Sequence, residues 1–167
     1  MWIALFSNSG NELAALCKRV GRKPDVIYCD KERVAWHNDI AEHVLLLSHS
    51  EIISALSILP KDTLVTLHGY LRLIPSNAIN ENTFNVHPGD IVKYPELKGI
   101  HPQAKALSLK LPSTGVVIHK VTEEVDDGEI VASASYLMNK DETELSLINN
   151  LRDLSIDLWC DFLRGRV

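Results

Sequence analysis

Four short apolar runs in the first half of the chain constrain its fold more than any other feature. Trp2–Phe6, Asp25–Cys29, Val44–Leu47 and Thr63–Leu67 are nearly continuous in apolar side chains. A strand with one wet face alternates apolar and polar residues; runs of this kind belong to strands covered on both faces, as in a parallel sheet. Between them the spacing becomes helical. Leu13, Leu16, Cys17 and Val20 fall at i, i+3, i+4 and i+7 and stop near Gly21, and Ile52, Ile53, Leu56 and Ile58 are closed by Pro60. Strand, helix, strand in repetition predicts an α/β fold with a mostly parallel central sheet, helices on both faces and right-handed crossovers.

The second half changes character. Thr83–Val86 is a short strand running into His87-Pro88-Gly89-Asp90, followed by a Pro-, Gly- and His-rich stretch to Pro102. Gly115–Val121 and Glu129–Tyr136 are two further strands, joined by the acidic loop Glu123-Glu124-Val125-Asp126-Asp127-Gly128. The chain closes with a long helix. Asp141 and Glu144 have capping-box spacing, and Leu147, Leu151, Leu154, Leu158 and Phe162 make the apolar stripe. A length of 167 residues without internal repeat or linker is one domain, residues 1–167.

Composition narrows the partners. With 17 basic and 22 acidic residues the net charge is -5, which argues against a broad footprint on nucleic acid or an anionic membrane. The opening apolar run has no basic leader and reads as a strand, and no stretch is long enough for a membrane span, so a cytoplasmic protein is expected. Cys17, Cys29 and Cys160 lie far apart without metal-ligand spacing and read as reduced packing residues. No heptad seam points to an oligomeric state.

Three segments carry polar groups suited to chemistry. Ser7-Asn8-Ser9-Gly10-Asn11 joins a strand to a helix, where free N–H groups can hold an anion, although such a loop can also be only a turn. Asn85 and His87 share one side of a strand at its C-terminal end, the edge where open α/β sheets place ligands. An amide and an imidazole side by side suit a developing oxyanion, or simply anchor the next loop. The acidic run is an ordinary solvated turn unless one carboxylate points back at His87, where it would favour the charged imidazole. His119, His101, His68 and Arg72 are weaker candidates, His119 being equally readable as a satisfied core histidine.

Asn85-Val86-His87-Pro88, Lys93-Tyr94-Pro95, Thr114–His119 and Val121–Gly128 occur in that order. Together they resemble the catalytic core of the 10-formyltetrahydrofolate-dependent formyltransferases, and Leu67–Ile74 resembles that family's folate-pocket strand and loop. The resemblance implies a Rossmann-like α/β fold and a catalytic trio of Asn85, His87 and Asp126. It implies 10-formyltetrahydrofolate as formyl donor along Leu71, Arg72, Leu73, Ile74 and Val125, and an amine acceptor at Ser9, Gly10, Asn11 and Glu12. Asn85 and protonated His87 would hold the developing oxyanion; Asp126 would keep His87 charged and take the amine proton. No metal is implied. The acceptor most favoured by the resemblance is phosphoribosylglycinamide, with another amine, water (a hydrolase) or a non-catalytic folate- or nucleotide-binding role as alternatives. Two features bear on that choice. Glu12 stands where the family's phosphate loop continues Gly-Ser-Asn, and a carboxylate there competes with a phosphate for the same N–H groups. The segment from Asp30 to Thr63 is short for the acceptor side. Relatives that formylate initiator tRNA carry a second, basic domain, so the length and acidity lead to the expectation of a small-molecule acceptor.

Overall fold

The computed structural model describes residues 1–31 and 36–167. Its centre is a seven-stranded sheet in the order β3-β2-β1-β4-β5-β6-β7. The strands are β1 (Trp2–Phe6), β2 (Val26–Cys29), β3 (Val44–Leu46), β4 (Leu64–Leu67), β5 (Thr83–His87), β6 (Ser113–Lys120) and β7 (Ile130–Leu137). The first five are mutually parallel, and β6 runs antiparallel to both β5 and β7. The mostly parallel α/β architecture is as expected, with every apolar run found as a strand within a residue or two of its predicted limits.

Four α-helices are present among the described residues: α1 (Asn11–Val20), α2 (His49–Ser57), α3 (Pro102–Ser108) and α4 (Glu144–Leu163). Side-chain alternation divides the core in two. Trp2, Ala4 and Phe6 of β1 meet Leu13 and Leu16 of α1 and Leu151, Trp159 and Leu163 of α4 on one face. Ile3 and Leu5 meet Tyr28, Val65, Leu67 and the α2 residues Ile52 and Leu56 on the other. α3 packs against α4 and the Pro95–Leu97 turn.

The closing helix departs from its predicted details. Its N-cap is Thr143, whose hydroxyl accepts the Ser146 N–H while the Ser146 side chain accepts the Thr143 N–H; Glu144 is the first helical residue and Asp141 precedes the cap. The core-facing stripe is Leu147, Leu151, Ser155, Ile156, Trp159, Phe162 and Leu163, with Leu154 and Leu158 half-buried at its margin. A 3.6-residue period drifts around a helix this long, so residues three and four apart cannot all stay central. Cys17 and Cys29 are buried and Cys160 half-buried, all as free thiols, and burial pushes the Cys17 thiol up to about 12.

The sheet order reverses between β1 and β4, the point at which connecting loops part and leave a crevice at the C-terminal strand ends. Here the loops after β1 and β4 are tied to each other. The Ser7 N–H donates to the Gly69 carbonyl and the Leu71 N–H to Ser7 Oγ, both within 3.2 Å.

Candidate active site

β5 carries Phe84 and Val86 into the core shared with α1 and α4, so Asn85 and His87 point to the opposite face. β6 brings its own side chains to that face in antiparallel register, His119 beside Asn85 and Val117 beside His87. His119 Nε2 lies 3.2 Å from Asn85 Nδ2. The Nδ1–H of His119 donates to the Lys120 carbonyl at 2.8 Å, which fixes the ring.

The β6–β7 loop folds back over this pair and supplies the acid. Asp126 adopts a left-handed backbone (φ 51°), unusual for a side chain other than Gly or Asn, and its side chain is 9% exposed. One carboxyl oxygen, Oδ2, accepts from His87 Nδ1 at 3.1 Å and from the Gly99 N–H at 2.9 Å; the other lies 3.4 Å from His119 Nε2. Burial by itself raises the pKa of this carboxyl. The hydrogen bonds from His119 and His87, the charge of His87 and the Gly99 N–H outweigh it, and the carboxyl is held well below the usual carboxylate range. Asp127 points outward to the Lys98 ammonium. Gly128 follows because a Cβ there would overlap the Lys120 carbonyl oxygen.

His87 is engaged at both nitrogens, Nδ1 by Asp126 and Nε2 by the Leu97 carbonyl at 2.8 Å, and only 5% of the residue is exposed. Two acceptors for two nitrogens call for a proton on each, the charged imidazolium. Asn85, His87 and Asp126 are thus brought together. His119, read from the sequence as an open case, contacts Asn85 and Asp126. Its position in a strand was readable, but only the antiparallel register places it beside Asn85.

The remaining candidates lie in other loops and at the start of α1. Leu71 and Leu73, after β4, are 64% and 62% exposed, and Val125, after β6, is 52% exposed. Arg72 is held through Nε by the buried Asp30 carboxylate at 3.2 Å. Ile74 is 2% exposed, its side chain committed to the core with Leu67 and Tyr70, which leaves only its backbone for a ligand. On the loop after β1, Gly10 takes a left-handed φ of 71°, and Ile40 and Phe6 crowd the place a side chain would occupy. The Ser9 carbonyl accepts the His37 N–H, and Asn11 and Glu12 open α1. His101 stands exposed at the N-cap of α3, with no side-chain capping hydrogen bond. Among the described residues no group of three His, Cys, Asp or Glu side chains is arranged to hold a metal ion, and no helix is long and apolar enough to cross a membrane.

The profile of the formyl transferase family matches residues 6–161 of this α/β chain. The chain belongs to that family. It is 30% identical over 150 residues to a methionyl-tRNA formyltransferase of Lactobacillus delbrueckii subsp. bulgaricus, covering 87% of this chain and 46% of that protein. A phosphoribosylglycinamide formyltransferase of Dictyostelium discoideum is 35% identical over 77 residues, covering 41% of this chain and 37% of that one. The chain thus spans less than half the length of these curated relatives. Its fold is shared with crystal structures of phosphoribosylglycinamide formyltransferases. That from Bacillus halodurans has a TM-score of 0.80 at 23% identity, covering 96% of this chain and 92% of that one. That from Streptococcus pneumoniae has 0.82 at 19%, covering 98% and 97%.

Proposed function

We propose that this chain transfers the formyl group of 10-formyltetrahydrofolate to the primary amine of a small molecule. The observation that carries the reading is the Asp126 carboxylate set between two imidazoles, with Asn85 beside them. The amine lone pair attacks the formyl carbon and forms the new C–N bond, leaving negative charge on the formyl oxygen. The Asn85 amide and the Nε2–H of His87, given to Leu97 in this structure, are the donors for that oxygen. Asp126 keeps His87 charged. His119 Nε2 has a partner in either state: unprotonated it accepts from Asn85, protonated it donates to Asp126. It can therefore take the proton the amine releases, and the tetrahedral species collapses as the carbon–N10 bond breaks and N10 regains a proton. The exposed Leu71, Leu73 and Val125 give the pterin an apolar rim. A cytoplasmic location belongs to the same reading.

Phosphoribosylglycinamide is the first acceptor to test, because enzymes of that name share the fold over 96% and 98% of the chain. The match to a methionyl-tRNA formyltransferase makes charged initiator tRNA the second. The experiment is to supply 10-formyltetrahydrofolate with and without each acceptor and follow tetrahydrofolate. Amine-dependent release is expected. Release without any amine would identify a hydrolase, and no release with any acceptor would overturn the proposal.

A further inference from the structure

The first N–H groups of α1 are an ordinary place for an anion. In this chain the helix brings its own. Glu12, in the first turn of α1, sets its carboxyl Oε1 3.4 Å from His68 Nδ1. The His68 side chain is fully buried, its ring centroid 5.1 Å from that of Trp159. Its other nitrogen lies 2.9 Å from Thr66 Oγ1, which accepts the Trp2 Nε1–H at 2.9 Å. An indole N–H can only donate, so the Thr66 hydroxyl hydrogen is free for His68 Nε2. A single ring proton, on Nδ1 and directed at Glu12, then satisfies the whole chain of contacts. His68 thus holds the Glu12 carboxyl in place beside the first N–H groups of α1.

A second acid stands at the same sheet edge. Asp30 follows β2, and the pairing of Phe6 with Cys29 sets it beside Ser7. Its side chain is 2% exposed; Oδ2 is taken by Arg72, while Oδ1 has no hydrogen-bond partner among the described residues. A buried carboxylate oxygen without a donor is costly, and an incoming hydrogen-bond donor relieves it.

We propose that Glu12 is the specificity-determining residue of the acceptor loop, and that the acceptor amine presents hydroxyls or other uncharged hydrogen-bond donors there rather than a phosphate. This rests on the formyl-transfer reading only for the identity of the loop as the acceptor site. A phosphate at the start of α1 would bring like charge within a few ångströms of Glu12, whereas a hydroxyl would donate to it. At that range, near a protein surface, the repulsion is worth a factor of about ten or more in affinity.

The test compares phosphoribosylglycinamide with ribosylglycinamide, the same amine without phosphate, in wild type, Glu12→Gln and Glu12→Asp. Wild type should use the unphosphorylated amine at least as well. Glu12→Gln should raise the ratio of kcat/KM for the phosphorylated over the unphosphorylated amine by about tenfold. Glu12→Asp, which keeps the charge, should stay near the wild-type ratio. A wild-type preference for the phosphorylated amine above about tenfold, or an unchanged ratio in Glu12→Gln, would overturn the inference. Ribose 5-phosphate supplies a readout independent of turnover, through its effect on the thermal unfolding midpoint. It should stabilise Glu12→Gln more than wild type, and a shift no larger in the variant also overturns the inference. Failure of the formyl-transfer reading looks different: no tetrahydrofolate is released with any acceptor, whichever residue occupies position 12.

Discussion

Asp126 stands on backbone that few residue types adopt readily, and its left-handed φ aims the carboxylate inward while Asp127 next to it faces solvent. Both acids were visible in the sequence, but the turn that separates their fates was not, because a left-handed φ at an Asp is set by how the loop packs rather than by residue type. Asp126→Asn should leave the fold intact and reduce tetrahydrofolate release at least about a hundredfold, since it removes the charge that keeps His87 protonated. A variant with wild-type turnover would remove Asp126 from the mechanism. The same carboxyl makes stability depend on pH. Its pKa is lower in the folded than in the unfolded chain, so on acidification the unfolded state takes up the proton first. The stabilisation is complete above the unfolded value of about 4 and is lost progressively below it. Urea denaturation should show wild type exceeding Asp126→Asn in stability at pH 6, with the gap narrowing toward pH 3.

At the scale of elements, the β6–β7 loop is the part whose shape the site depends on most. Glu123 accepts the Ser76 N–H and Gly99 donates to Asp126, so the loop is tied at two places to other parts of the chain. Gly128→Ala should displace it, because the added methyl meets a backbone carbonyl rather than a movable side chain. We expect a loss of about 1–3 kcal/mol in stability, as for other overpacked sites, and a fall in turnover above about tenfold. Denaturant titration and the tetrahydrofolate assay measure the two effects separately. The buried strands were the most legible elements, since a strand covered on both faces must be apolar throughout. α3 was not legible: it spans seven residues and buries only Pro102 and Ala106, too few for a period to show. The cap of α4 was misplaced because Asp141 and Glu144 have the right spacing by chance, while Thr143 and Ser146 have it with the right geometry.

The whole molecule is organised by one sheet with a core on each face. Trp2 and Trp159 belong to the core under α1 and α4, whereas Leu5, Leu67 and Ile52 lie in the one under α2. Because β1 and β4 contribute to both, neither core can form without the strands that also build the other. Tryptophan fluorescence and far-UV circular dichroism should therefore report coincident denaturant midpoints. Separated midpoints would show that the two faces unfold independently. The switch between β1 and β4 is also a property of the whole. It brings the loops after β1 and β4 side by side, where Ser7 is bonded to Gly69 and Leu71 across more than 60 positions of sequence.

By itself the sequence determined the α/β class, the strands, three of the four helices and the residue types that could do chemistry. Those properties follow from burial and local backbone preference, which act over a few neighbouring residues. Only the tertiary structure decided which polar groups meet. His119 joins Asn85 through an antiparallel register between positions 34 apart, and Asp126 reaches both histidines by folding back across the sheet. His68 and Glu12, 56 residues apart, are joined by a hydrogen-bond chain that runs through Thr66 to Trp2 and fixes a carboxyl group at the head of α1. Hydrogen bonds and charges act over a few ångströms in space, and strand pairing and crossovers set those distances.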